Sequence, residues 1–396
     1  METVRGSMQD QKLYVFLSGR VDASNAPEVE NRIGALVAQE NACRLVLDME
    51  KLSYISSSGL RVILKLKRST DELCIVNAHT EIYDILDMTG LTQVMDVRRA
   101  YPTVSAEGLE EIGRGANGTV YRLNEDTIIK VYKPFVSLEE IRREREMTQK
   151  ALVLGLPAVI MYDLVRVEGA GYGTMFELMG AGSLAKQMAQ GLITAEEAAD
   201  MSVKLLRFIH SRTVSDALFP DARQTVYDWI GFLEAYLPGD SIARLKALMD
   251  AVPEKPNLLH GDYHIKNIMR QDGECLLIDM ETLCHGDPVF EFAAMYAAYV
   301  AFSCTDPEDV KDFLGIDQAT ADLLWKRSLK GYFETDDEAL LQAAQDKAAL
   351  LAYVKVLRRT IRHGGLNDEK GRVLADRCKQ EIDALLGRVD ELCFLH

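Results

Sequence analysis

The spacing of hydrophobic positions changes along the chain, and the changes mark out its elements. Between residues 12 and 100, KLYVFLSG, CRLVLDM and ELCIVNA read as buried strands. APEVENRIGALVAQ, GLRVILKLKRS and TEIYDILDMTG repeat their apolar residues at helical spacing. This alternation predicts a compact αβ domain over residues 11–100, with helices packed on a sheet. VRRAYPTVSAEG (97–108) breaks the pattern with charge, proline and small polar residues, which predicts a linker at 101–108. From 109 the order is strand, glycine-rich turn, strand, turn, strand, then a charged helix over 138–154. After MFELMGAGSL (175–184) helical patterns dominate, interrupted by one hairpin made of NIMR, the turn QDGE and CLLIDM. The expected fold class is α/β, of α+β character, in two domains. The second covers 109–396, with a strand-rich lobe at 109–179 and a helical lobe at 180–396.

Length and charge narrow the functional classes. A chain of 396 residues exceeds what one core usually serves. A net charge of −16 argues against nonspecific binding to nucleic acid or anionic membrane, which carry the same sign. The same acidity is compatible with a cationic substrate. The seven cysteines form no C-x-x-C pair and no Cys/His cluster, so reduced buried thiols, a cytoplasmic protein and no zinc are expected. METVRGSMQDQK lacks the apolar core of a signal peptide, and FEFAAMYAAYVAF (290–302) is too short to span a bilayer and reads as a buried helix.

IGRGANGTVYRL places Gly113, Gly115 and Gly118 in the order G-x-G-x-x-G, followed by Val120 and by Lys130 in TIIKVY. A dinucleotide fingerprint should open a helix, whereas TVYRL continues as a strand. The pattern therefore predicts a flap over nucleotide phosphates, where glycines let backbone N–H groups approach anionic oxygens. Lys130, flanked by Ile128, Ile129 and Val131, needs an anionic partner if buried. Phosphate would serve. So would a carboxylate of the helix EEIRREREMTQKAL, where Glu146 is the expected partner and Glu144 the next choice.

LLHGDYHIKNIM (258–269), followed by LLIDME, sets Asp262, Asn267 and Asp279 in order, and a hairpin between the last two would return Asp279 towards Asn267. A carboxylate and an amide oxygen suit Mg²⁺, which completes its shell with water and substrate phosphates. Asp262 then remains to orient an attacking hydroxyl and accept its proton.

Residues 104–396 resemble the aminoglycoside phosphotransferase and choline kinase group of protein-kinase-like enzymes. The resemblance implies a bilobal fold with a helical C-lobe and an ATP- and Mg²⁺-dependent phosphotransferase. It implies that Gly113, Gly115, Asn117, Gly118, Val120 and Lys130 bind ATP, and that Lys130 pairs with Glu146. FELM would be the hinge for adenine, with Glu177 and Met179 at the nucleotide. Asp262 would be the catalytic base, and Asn267 and Asp279 the metal ligands. GDPVFEFA (286–293) is similar to the family's G-D-P-x-x-D-x-A segment, with Glu291 where Asp is usual, a change expected to affect helix anchoring more than chemistry. Protein kinases carry lysine two residues after the catalytic Asp; here it is His264, counted with the catalytic residues, and no A-P-E segment follows. Both departures point to a small-molecule hydroxyl as acceptor.

Residues 11–100 resemble a STAS domain of the anti-sigma-factor antagonist type. GRVDASNAPEVE supplies Asp22, and ISSSGLRV resembles the D-S-S-G-L segment, with Ser56 in place of Asp and Ser57 at the phosphorylatable position. Serines here are also good helix N-caps. A phosphate at a helix N-terminus meets free N–H groups and alters the surface by about two charges, which suits a switch. Asp22, Ser57 and Ser58 are the expected contacts with a partner such as an anti-sigma factor. Two other functions stay open: a Ser/Thr kinase acting on STAS serines, or a partner-switching binder whose kinase-like half senses nucleotide.

Overall fold

The first two hundred residues are dominated by sheets. They run β1 (Val4–Gln9), β2 (Lys12–Val21), α1 (Ala26–Gln39), β3 (Arg44–Ile55), α2 (Ser57–Ser69), β4 (Glu72–Ala78), α3 (Thr80–Met88) and β5 (Asp96–Arg99). Next come β6 (Thr103–Val104), β7 (Glu110–Arg114), β8 (Gly118–Arg122), β9 (Thr127–Tyr132), α4 (Leu138–Val153), β10 (Met161–Val167) and β11 (Gly171–Glu177). The remainder is mostly helical: α5 (Leu184–Ala189), α6 (Ala195–His210), α7 (Ala222–Leu233) and α8 (Gly239–Asp250) precede the short strands β12 (Leu258–Leu259), β13 (Ile268–Gln271), β14 (Glu274–Leu277) and β15 (Cys284–His285). Then follow α9 (Val289–Tyr296), a π-helical turn (Ala297–Ala301), α10 (Glu308–Leu314), α11 (Gln318–Phe333), α12 (Glu338–Arg362) and α13 (Glu369–Leu386). This computed structural model describes residues 3–9, 11–115, 117–215 and 218–394. It packs as two units, one of residues 1–123, 129–134 and 163–175, the other of 124–128, 135–162 and 176–396.

The first unit contains two sheets. One has the order β1-β2-β3-β4-β5, with β2 through β5 parallel and β1 antiparallel at its edge. Strand β3 presents buried Leu45, Val46, Leu47 and Met49 in succession, as a central parallel strand covered on both faces should. Strand β1 escaped the sequence reading because only Val4 of its six residues is buried. The second sheet has the order β6-β10-β11-β9-β8-β7. The expected linker is therefore not free chain. Asp96–Arg99 form an edge strand of the first sheet, and Thr103 and Val104 pair in parallel with Arg166 and Val167 of the second. Polar edge strands bury little and leave no apolar period to read.

Arg99 joins these sheets. Its side chain, 8% exposed, donates to Thr80 Oγ1 at 2.6 Å and Asp163 Oδ1 at 3.1 Å. Tyr101 meets Tyr172 edge-on at 5.7 Å.

The second unit is built around α6, α9, α11 and α12, whose inward faces share one core with Tyr263, Ile265, Phe292 and Trp325. The apolar run 290–302 is buried, as α9 and the π-helical turn. Among the described residues no helix is long and apolar enough to cross a membrane. The seven cysteines are free thiols, but only Cys74 and Cys378 are buried and Cys43 is exposed, so the expectation of buried thiols holds for two of them.

Candidate functional site

In the first unit β7 and β8 form a tight hairpin in which Gly113 faces Val120 and the Gly115 N–H donates to the Gly118 carbonyl at 2.9 Å. The glycines differ in why they are needed. A Cβ on Gly118 would lie 2.5 Å from the Val131 carbonyl oxygen, so the strand-to-strand approach itself requires glycine there. Gly113 and Gly115 would meet nothing closer than 3.9 Å, and neither has a positive φ. Packing and backbone conformation leave these two glycines unexplained, while bare backbone beside open space is what an approaching phosphate needs. Ala116 of this turn lies outside the described residues. The Asn117 carbonyl accepts from the Lys133 N–H at 2.9 Å, which fixes the far side of the turn, and Val120 is half-buried. Lys130 is half-buried, with its ammonium 5.1 Å from the centre of the Tyr132 ring.

Helix α4 belongs to the second unit and starts with a capping box in which Ser137 and Glu140 exchange side-chain and backbone bonds. Its buried face carries Ile141, Glu144, Met147, Thr148 and Ala151. Glu144 is 3% exposed, whereas the Glu146 side chain is 60% exposed and pairs with Lys150 at 2.7 Å. Glu144 shares the phase of the apolar stripe and Glu146 does not, which is why one is buried and the other exposed.

At the hinge, the Glu177 N–H is taken by the Ile160 carbonyl at 3.1 Å, and Glu177 Oε1 accepts from the Ile160 N–H at 2.6 Å. The Leu178 N–H is taken by Asp126 at 2.8 Å. Met179 is buried, and among the described residues no protein acceptor takes its N–H. Glu177 acts here as a brace for the hinge.

The stretch His260 to Asn267 is stitched to its surroundings at nearly every residue. Gly261 has φ +82°, and a Cβ on it would stand 2.4 Å from the Thr282 carbonyl oxygen, so only glycine fits before Asp262. His260 Nδ1 accepts from the Asp262 N–H at 3.3 Å, which leaves Nε2 to donate to the Ile278 carbonyl at 3.0 Å. The Tyr263 hydroxyl donates to the Ser202 carbonyl at 2.7 Å. Tyr299, carried on the π-helical turn, accepts from the Ile265 N–H at 3.1 Å. Glu291, fully buried, accepts from the N–H groups of both His260 and Gly261. The sequence pointed to an effect on helix anchoring; in the structure this carboxylate holds the backbone of the 260–267 loop. Burial would raise its pKa, but His210, His260 and the backbone N–H of His260 hold it below the usual range, so it stays ionised.

Asp262 is held in a charged setting of its own. Its side chain is 44% exposed; Oδ2 lies 3.6 Å from His264 Nε2 and Oδ1 3.7 Å from the ammonium of Lys355 on α12. Desolvation pushes its pKa up, and His264, Lys355 and His260 together pull it further down, leaving it well below the ordinary carboxylate range. His264 is 3% exposed, with its ring edge against Phe313 at 5.2 Å. It can position Asp262, but it offers little surface to a substrate.

Asn267 donates through Nδ2 to the Asp262 carbonyl at 3.0 Å, and Nδ2 also lies 3.5 Å from Asp262 Oδ2. No protein donor among the described residues uses its amide oxygen. In the hairpin, Ile268 faces Leu277 and the Ile278 N–H reaches the Asn267 carbonyl at 3.1 Å, which brings Asp279 one residue beyond the partner of Asn267. Asp279 is exposed and adopts the left-handed conformation, φ 55° and ψ 58°, which is unusual for a residue with a Cβ. A free amide oxygen and an exposed carboxylate at the head of one hairpin fit a hard cation that takes its other ligands from phosphate and water.

In the first unit Ser56 is the N-cap of α2, its hydroxyl accepting from the Ser58 N–H at 3.2 Å. Ser57 is therefore the first helical residue, and it is exposed. Gly59 permits the tight approach of this turn, since a Cβ there would be 2.6 Å from Ile55 Cγ1. Asp22 accepts from the Ser24 hydroxyl at 2.5 Å and its N–H at 3.0 Å, and these bonds lower its pKa.

Comparison with known proteins divides the chain by sequence at residues 106–108, between the two sheets of the first unit. The STAS domain model matches residues 5–106, and the phosphotransferase enzyme family model matches 108–324. The putative anti-sigma factor antagonist BtrV of Bordetella bronchiseptica is 30% identical over 101 residues, covering 24% of this chain and 86% of that protein. The anti-sigma F factor antagonist of Paenibacillus polymyxa is 27% identical over 89 residues, covering 22% of this chain and 76% of that protein. Among solved structures, a choline/ethanolamine kinase family protein from Mesorhizobium loti is 14% identical, covers 72% of this chain and 90% of its own, and has a TM-score of 0.48. The ADP-bound aminoglycoside phosphotransferase APH(2'')-Ib is 16% identical, with coverage of 80% and 99% and a TM-score of 0.44. The chain therefore belongs to the phosphotransferase enzyme family and carries a STAS domain, of the kind found in anti-sigma factor antagonists, ahead of its kinase-like domain.

Proposed function

We propose that the protein transfers the γ-phosphate of ATP, with Mg²⁺, to a hydroxyl of a small molecule, and that its STAS domain binds a regulatory protein. The observation that carries the first half is the loop holding Asp262: a carboxylate kept ionised, half-exposed, and fixed by bonds from Glu291, His260 and Tyr299 to its loop. Asp262 orients the acceptor hydroxyl and takes its proton as the oxygen attacks phosphorus. The bond from phosphorus to the β–γ bridging oxygen breaks, a bond to the acceptor oxygen forms, and ADP leaves with the bridging electrons. Asn267 and Asp279 would hold Mg²⁺, which would neutralise charge on the phosphates. Gly113, Gly115, Asn117, Gly118 and Val120 form the flap for the phosphates, Lys130 binds them, and Met179 offers its N–H to adenine. Of the two acids of α4 that the sequence offers to Lys130, Glu144 is buried, whereas Glu146 is exposed and paired with Lys150. Calorimetric titration of the full chain with ATP tests this assignment: binding should need Mg²⁺ and weaken at least tenfold in Asp279→Ala. Equal affinity with and without Mg²⁺ would count against the metal ligands.

For the STAS domain, the exposed position of Ser57 at the start of α2 suits a phosphate switch, with Asp22 and Ser58 beside it at the partner surface. An anti-sigma factor is the class of partner that the curated relatives suggest. Copurification from the source cell should recover such a partner with the wild type and lose it with Ser57→Asp.

A further inference from the structure

The surroundings of Asp262 within the helical unit are basic, against the acidic balance of the chain. Lys355, Arg358, Arg359 and Arg362 stand at i, i+3, i+4 and i+7 on α12 and so share one face. Lys355 touches Asp262 at 3.7 Å. The Arg359 guanidinium is stacked over Phe302 at 4.8 Å from the ring centre, and Phe302 meets Phe313, which in turn meets His264. An aromatic ledge thus runs from beside the catalytic carboxylate to a preoriented guanidinium. Arg359 and Arg362 are exposed, and among the described residues neither has a carboxylate within ion-pair distance. The Nε of Arg358 is buried without a hydrogen-bond partner. Of the nearby acids, Asp306 and Asp309 are both held by Lys370, at 2.9 Å and 2.5 Å, and Asp228 acts on Arg358, which leaves Arg359 and Arg362.

A cationic acceptor would have to sit against this face, and the like charges of Lys355, Arg359 and Arg362 would oppose it. A stacked guanidinium with its N–H edge free is suited instead to a planar or tetrahedral anion. We propose that the acceptor is a small hydroxylated compound bearing its own anionic group, bound by Arg359 and Lys355 with its hydroxyl at Asp262. One turn separates the two cations, so the hydroxyl and the anionic group stand about 6 Å apart along the helix. The inference rests on the phosphotransferase reading and names its substrate class. The chemistry balances as before: the acceptor O–H proton passes to Asp262, a P–O bond to the acceptor forms, and ADP departs.

The test uses the full chain with a non-hydrolysable ATP analogue and Mg²⁺, titrated with four probes. Glycerol 3-phosphate and glycerate distinguish a phosphate monoester from a carboxylate, while glycerol and choline supply neutral and cationic controls. At least one anion should bind where glycerol and choline do not. Its affinity should fall at least tenfold in Arg359→Ala, recover partly in Arg359→Lys, weaken with salt, and hold or tighten in Asp262→Asn. Choline binding in place of the anions, no anion binding at all, or anion binding indifferent to Arg359→Ala would overturn the inference. The parent reading fails separately, by ATP consumption that is the same in wild type and Asp262→Asn whatever the probes do.

Discussion

Glu291→Gln tests how the catalytic loop is held. The substitution keeps shape and volume but replaces one carboxylate oxygen with an NH₂ group, while the N–H groups of His260 and Gly261 still point at that side chain. One of these bonds drops from a charge-assisted bond, worth about 1.5–3 kcal/mol, to a neutral one worth about 1 kcal/mol. The other is lost, leaving a buried donor facing a donor at about 1–3 kcal/mol. His210 Nε2, 3.6 Å from the carboxylate, also loses its carboxylate neighbour. The sum is about 2–4 kcal/mol, or roughly 5–15 °C in the melting transition of a unit of this size. Because Glu291 fixes the two residues before Asp262, kcat should fall as well, by up to about 10²-fold for a displacement near 1 Å. Glu291→Asp keeps the charge but retracts it by about 1.5 Å, and should give intermediate losses. Circular dichroism melting of the full chain and ATP turnover read the two effects. A Glu291→Gln variant that melts with the wild type and keeps its kcat would refute the anchoring role.

Three further outcomes follow from the geometry. Gly118→Ala should destabilise the first unit by about 1–3 kcal/mol because its Cβ meets Val131, whereas Gly113→Ala should melt normally and show a raised KM for ATP; matching melts for the two would contradict this. Glu146→Gln should cost only the few tenths of a kcal/mol of an exposed i, i+4 pair, while Glu144→Gln, at a buried carboxylate, should destabilise by about 1–3 kcal/mol; equal losses in melting would contradict the difference in burial. For pH, a depressed carboxylate pKa means that the stability due to ionised Asp262 is complete above the free value near 3.9 and is lost progressively as pH falls from there through the lower native value, whereas activity due to ionised Asp262 fades only near that lower value. Lys355→Met removes one of the causes, so the acid limb of its kcat/KM profile should lie at higher pH than in the wild type, and coincident limbs would deny the Lys355 contact.

Legibility followed distance along the chain. Asp262, Asn267 and Asp279 could be grouped from sequence because one short hairpin joins them, and the backbone bond from Ile278 to Asn267 realises that local geometry. The burial of Glu144 was also readable, since Ile141, Met147 and Ala151 fix the helical phase. Strand β1 and the pairing of Thr103 and Val104 left no trace, because edge strands with exposed side chains carry no apolar period. Glu291 and Lys355 reach the catalytic loop through tertiary packing alone, and a helix interior gives no local sign of what its side chains will meet. The short sequence 258–269 now explains its own framing: Tyr263 and Ile265 are buried anchors on either side of His264, whose buried ring lies against Asp262.

The central claim is phosphoryl transfer dependent on Asp262, and ATP turnover by Asp262→Asn against wild type in Mg²⁺, with melting matched, measures it most directly. Loss of general-base assistance should reduce kcat by about 10²–10⁴-fold. A variant that is fully folded and turns over ATP at the wild-type rate would contradict it.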